Sequence, residues 1–129
     1  MKKILCIGNR FAYPDNFGIK VYEHLKANPP EGVEIIEGGV GGLSLALHFE
    51  TDAPILVVDH GVGFSKHFFP LKELPLDHIC GYDHDSAFYY LLKTLDKPDI
   101  WLYVSNDPYW KKEELQKRCN EIVQRIKQL

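Results

Sequence analysis

The sequence predicts an α/β domain, a three-layer α/β/α sandwich around a twisted, mostly parallel sheet of the phosphorylase or hydrolase kind. Three observations predict it. Short β-branched runs recur along the chain, segments with helical spacing separate them, and proline or glycine punctuates the junctions. Strands alternating with helices form βαβ units, which bury a parallel sheet on both faces. The 129 residues are 45% hydrophobic, enough for one compact domain spanning 1–129 with no repeat, linker or low-complexity segment.

Lys3 to Ile7 reads as the first strand. Phe17 to Asn28 reads as a helix, with Phe17, Val21, Tyr22 and Leu25 at helical spacing, stopped by Pro29-Pro30-Glu31-Gly32. Val33 to Glu37 is a second strand, followed by Gly38, Gly39, Gly41 and Gly42. Leu43 to Phe49 is apolar and long enough for one or two helical turns. Ile55 to Asp59 is a third strand whose unbroken Ile-Leu-Val-Val run implies burial on both faces. Phe68 to Leu74 suits an edge strand, because Pro70 and Lys72 disfavour a central position. His84 to Leu95 is a second long helix, with Phe88, Leu91, Leu92 and Leu95 in the 3,4 repeat. Ile100 to Val104 is the last strand. Asp107 can cap a final helix with Pro108 in its first position and Glu113 and Glu114 in its early turns. Its apolar side carries Leu115, Cys119, Ile122, Val123, Ile126 and Leu129.

Charge and composition exclude several function classes. Net charge is −3 and the pI is near 6.0, with no basic stripe outside the last helix, so no nucleic-acid partner is expected. The apolar run after Met1-Lys2-Lys3 is too short for a signal sequence, and no stretch approaches a membrane span of about 20 residues. A cytoplasmic protein without membrane contact is the expectation; oligomeric state is left open. Three cysteines, Cys6, Cys80 and Cys119, are odd in number and widely spaced, which fits a reducing compartment. Cys6 inside a strand is a small buried hydrophobe; Cys80, close to His84, keeps a ligand or redox role as the lesser alternative.

Chemistry concentrates just past the strand ends. Asp15 follows the first strand, Asp59 closes the third, and His84 opens the second long helix. In a parallel sheet those positions fall on the carboxyl edge, where open α/β folds bind ligands. Two carboxylate oxygens and one imidazole nitrogen suit a divalent first-row cation and leave coordination positions free. Asp15 also has the makings of a helix N-cap. Asp59 is costly to bury without a partner. His84 near a helix N-terminus is kept neutral by the dipole, which frees a ring nitrogen. Of the other histidines, His24, His48, His60, His67 and His78, only His60 adjoins this set. The glycine cluster lacks the G-x-G-x-x-G order after the first strand and has no Gly-Lys-Ser/Thr, so nucleotide binding is a minor alternative. Close backbone approach, or a plain turn, accounts for it.

Ile4-Leu-Cys-Ile-Gly8-Asn9, Asp15 and Gly18 before a helix, Ile36-Glu37-Gly38-Gly39-Val-Gly41-Gly42-Leu43, Leu56-Val-Val-Asp59 and His84 before a helix form an ordered set. It resembles the nickel-iron hydrogenase maturation endopeptidases. The resemblance implies a metal-dependent peptidase that removes a C-terminal extension from the hydrogenase large-subunit precursor after nickel insertion. It also implies that Asp15, Asp59 and His84 are catalytic and bind metal, and that Gly38, Gly39, Gly41, Gly42 and Asn9 contact substrate. The cofactor is then nickel carried by the precursor, with zinc a possible occupant in isolation. This chain departs from the family in having Pro14-Asp15-Asn16 where many members have two acids before glycine. A non-catalytic relative that binds metal or the precursor as a maturation chaperone is the second reading. No serine or cysteine is paired with a base, so a covalent nucleophile has no candidate.

Overall fold

The computed structural model describes residues 1–40, 43–61, 66–74, 89, 92–94, 99–105 and 109–129, with the side chains of residues 43 and 44 left aside. Five strands form one sheet: β1 (Lys2–Ile7), β2 (Val33–Gly39), β3 (Ile55–His60), β4 (Phe68–Pro70) and β5 (Ile100–Ser105), in the order β2-β1-β3-β5-β4. All neighbours are parallel except β4, which runs antiparallel to β5. Helix α1 (Phe17–Ala27) links β1 to β2, and helix α2 (Lys112–Gln128) follows β5.

Side-chain alternation along the strands divides the core into two layers. Ile4, Cys6, Leu56, Val58 and Tyr103 face α1 and α2, where they meet Phe17, Val21, Leu25, Cys119, Ile122 and Ile126. Leu5, Ile7, Ile55, Val57, Leu102 and Val104 face the opposite side, covered by Leu45 and Phe49 of a 3₁₀ segment (Leu43–Phe49) and by Leu71, Leu74 and Leu92. All six residues of β3 are buried, as its unbroken apolar run predicts. Two lysines of β1 tie the layers at the amino edge. Lys2 donates to the carbonyl of Ile126 at 3.1 Å, near the end of α2, and Lys3 to that of His48 at 2.9 Å. A cation at a helix C-terminus meets unpaired carbonyls there.

Two expectations change. The edge strand predicted over Phe68 to Leu74 ends at Pro70, and Leu71–Glu73 form a 3₁₀ turn that drops Leu71 and Leu74 into the core. The last helix begins at Lys112 rather than at Pro108, with Lys111 at its N-cap position and no side-chain cap. Asp107 and Pro108 lie outside the described residues. Trp110 lies ahead of the helix, buried in the α-helical layer, with its carbonyl accepting from the Tyr13 hydroxyl rather than opening a helical turn. Glu113 and Glu114 do occupy the first turn. Of the helix predicted over His84 to Leu95, Tyr89 and Leu92–Thr94 are helical, and the remainder, His84 and Cys80 included, lies outside the described residues.

No helix among the described residues is long and apolar enough to cross a membrane. Cys6 and Cys119 are free and buried, and burial pushes both thiols up, Cys119 to about 12. Burial likewise raises the Tyr103 phenol to about 12, against the lowering effect of Arg118. Groups whose pKa is higher in the folded chain bind protons that the unfolded chain has released, so stability is full below the unfolded values and declines as pH rises. Urea midpoints measured against pH should therefore fall between about pH 9 and 12; a flat profile there would contradict the burial of these three groups.

Candidate active site at the carboxyl edge of the sheet

The chain passes from β1 outward to β2 and then returns to the other side of β1 as β3. A reversal of this kind is where open α/β sheets form their ligand crevice, here beside the carboxyl ends of β1 and β3. Register pairs Cys6 with Val58, so β1 ends level with Asp59. Two of the sequence-predicted acids, Asp15 and Asp59, belong to the segments that border the crevice.

Asp15 is placed by a loop that folds back on β1. The amide of Asn9 donates to the Asp15 carbonyl at 3.2 Å and to its Oδ2 at 3.3 Å. The competing capping role is not realised. Asn16, not Asp15, sits at the N-cap of α1, and no side-chain cap bond forms. The carboxylate is thus turned toward the strand end rather than along the helix. Asn9 closes the other half of the loop, its Oδ1 accepting from the Phe11 amide at 3.0 Å. Arg10 then pins the loop from outside, with Glu23 of α1 at 3.0 Å and Glu37 of β2 at 2.6 Å. These ion pairs are exposed and fix geometry more than they add stability.

Trp110 holds the loop from the far side. Its Nε1 donates to the Pro14 carbonyl at 2.9 Å, its ring lies 5.1 Å from Tyr13 and 5.9 Å from Phe17, and its own carbonyl accepts from the Tyr13 hydroxyl. Gly18 makes the approach of α1 to β1 possible. A Cβ there would lie 2.0 Å from the Ile7 carbonyl oxygen, inside any contact distance.

Asp59 is held differently. It is only 4% exposed, its Oδ1 accepts from the His60 amide at 2.7 Å, and its Oδ2 accepts from the Tyr89 hydroxyl at 2.6 Å. Short bonds to an ionised acceptor are the strong kind. They meet the cost of burying the acid that the sequence raised. A carboxylate is an acceptor for hydrogen-bond donors and hard cations alike. His60 is buried beside Asp59 and pairs in register with Ser105. The Ser105 hydroxyl and the Asn16 Oδ1 are buried at this edge and lack a hydrogen-bond partner among the described residues.

The glycine segment borders the same crevice. Gly39 pairs with Ile7, takes a positive φ of 57° and accepts from the Gly8 amide at 2.7 Å, so the backbone of β2 closes onto the end of β1. Gly38 packs against Leu5 and Leu45. Gly41, Gly42 and His84 lie outside the described residues. Among the described residues no three histidine, cysteine or acidic side chains gather as a metal site. Sequence reasoning missed Trp110 and Tyr89. Trp110 carried no signal apart from being an aromatic residue just ahead of the last helix, and Tyr89 was hidden inside a helix whose 3,4 repeat drew attention to its neighbours.

Similarity to solved structures fits this architecture. The hydrogenase 3 maturation protease superposes with a TM-score of 0.70 at 18% identity, covering 98% of this chain and 88% of that one. The chain has the fold of the hydrogenase maturation proteases. The HycI maturation protease of Thermococcus kodakarensis KOD1 gives a TM-score of 0.64 at 23% identity over 98% and 92% of the two chains. The HybD maturating endopeptidase of Escherichia coli gives 0.61 at 16% identity over 97% and 88%. No family model matches the sequence, and no curated protein matches it. The maturation-protease fold is thus carried here by a strongly diverged sequence.

Proposed function

We propose that this chain is a hydrogenase maturation endopeptidase that trims a C-terminal extension from a nickel-iron hydrogenase large-subunit precursor after nickel has been inserted. The observation that carries the reading is the buried Asp59, fixed by two short hydrogen bonds at the switch point of a sheet with the maturation-protease fold. It lies at the carboxyl end of β3, level with the end of β1, the strand from which the Asp15 loop continues. The donor chemistry fits a cation. Hard carboxylate oxygens suit a divalent metal, and His84 would supply the nitrogen of the set.

Nickel arrives with the precursor and is therefore part of the substrate. Asp15, Asp59 and His84 would complete its coordination, so that only a loaded precursor is gripped at the cleavage site. Bound there, the cation supplies Lewis-acid polarisation and eases deprotonation of water. The protein residues orient: Trp110 and Arg10 hold the Asp15 loop, and the His60 amide and Tyr89 hold Asp59. Large apolar side chains around this edge support a polypeptide substrate. Phe11 and Tyr13 follow β1, Val40 follows β2 and Tyr109 follows β5, all exposed.

The single acid in the Pro14-Asp15-Asn16 loop favours the second reading, a chaperone that binds the precursor without cutting it. Mass spectrometry of the purified precursor after incubation with this protein separates the two. With nickel the precursor should lose its C-terminal segment, and without nickel it should stay intact; an intact product in both cases rejects the endopeptidase.

A further inference from the structure

Tyr89 stands out among the partly buried aromatic residues because its hydroxyl reaches the buried Asp59. The ring packs against the core layer made by Leu5, Ile7, Leu45 and Leu92, and a phenylalanine would fill that place equally well. Its hydroxyl instead donates to Asp59 Oδ2 at 2.6 Å, while Oδ1 is already held by the His60 amide at 2.7 Å. Two donors, one on each oxygen, stop rotation of the carboxylate about its terminal torsion. The segment that carries Tyr89 is itself anchored, by Leu92 buried in the same layer and by Lys93, whose ammonium donates to the Leu74 carbonyl.

We infer that Tyr89 is a positioning residue of the carboxyl-edge site: its hydroxyl locks the Asp59 carboxylate in the orientation that receives a divalent cation. The inference rests on the proposed metal-gripping role of Asp59. Outer partners of ligating carboxylates act in this way, fixing the ligand before the cation arrives.

Tyr89→Phe tests the hydroxyl alone. Affinity for Ni²⁺, measured by competition with a chromophoric chelator in the absence of precursor, should fall about 10- to 100-fold. The melting temperature should stay within a few degrees, and kcat for the nickel-loaded precursor should fall with KM little changed. In an Asp59→Asn background the same substitution should have no further effect on Ni²⁺ affinity. Ile126→Ala is the control, weakening the opposite core layer without touching Asp59 or the Tyr89 segment; it should lower the melting temperature and leave Ni²⁺ affinity in place. Wild-type affinity in Tyr89→Phe, or loss of affinity that tracks melting temperature in both variants, overturns the positioning role. A wild-type chain that neither binds Ni²⁺ nor cleaves overturns the reading of the site, and this inference with it.

Discussion

Asp59→Asn should abolish precursor processing while leaving the chain folded. The substitution keeps the size of the side chain and an oxygen that can accept from the His60 amide or the Tyr89 hydroxyl, but it removes the negative charge. Losing one preorganised electrostatic group at a reacting centre costs on the order of 10²- to 10³-fold in turnover. A residue that also grips the cation should fall at or beyond the upper end. Stability should move the other way or hardly at all, since a buried charge is removed and its packing retained. Cleavage followed by mass spectrometry, beside a thermal melt, reads both quantities. Retained processing in a folded Asp59→Asn chain would show that Asp59 serves the core and not the chemistry.

Gly18→Ala should be the most destabilising single-methyl change in the described structure. The added Cβ would stand 2.0 Å from the Ile7 carbonyl oxygen and 2.8 Å from its carbon, both backbone atoms of a central strand that cannot yield. Helix α1 would have to move outward, giving up part of the contacts that Phe17, Val21 and Leu25 make with the sheet. Overpacking costs about 1–3 kcal/mol where side chains can adjust, and a backbone collision belongs at or above the top of that range. For a chain of this size that is a fall of roughly 10 °C or more in melting temperature. Processing should drop as well, because α1 carries the Asp15 loop with it. Gly8→Ala is the milder companion, its Cβ meeting the Asp15 carbonyl oxygen at 2.6 Å rather than 2.0 Å. A Gly18→Ala melt that coincides with wild type would mean that α1 and β1 are not packed this closely.

The sheet was legible in the sequence because its strands are short β-branched runs closed by distinct punctuation. Ile55 to Val58 has no polar residue to place on a solvent face, and all of it is buried on both sides of the sheet. Asp59 was legible for the same reason, as an acid at the end of a run that no water reaches. Asp15 was not, since an acid ahead of a helix reads equally as a cap; the Asn9 amide, which turns its carboxylate back, is a tertiary contact that local pattern does not encode. Tyr89 and Trp110 were invisible in the same way. Each acts on a residue far along the chain, Asp59 thirty positions away and Pro14 ninety-six, and no periodicity records such a partner. The end of β4 failed for a local reason: Phe68, Phe69, Leu71 and Leu74 are apolar enough for a strand, yet Leu71 and Leu74 reach the core across Lys72 and Glu73 by way of a 3₁₀ turn.

The borders of the sheet carry a last consequence. On one side β4 spans three residues and ends in Pro70, which has no amide hydrogen to give; on the other, β2 presents Glu34 and Glu37 and finishes in two glycines. Neither rim offers a visiting polypeptide a long, flat, uncharged ladder on which to zip. The described sheet is thereby spared from annealing a loose peptide, or a sister molecule, onto its own flank.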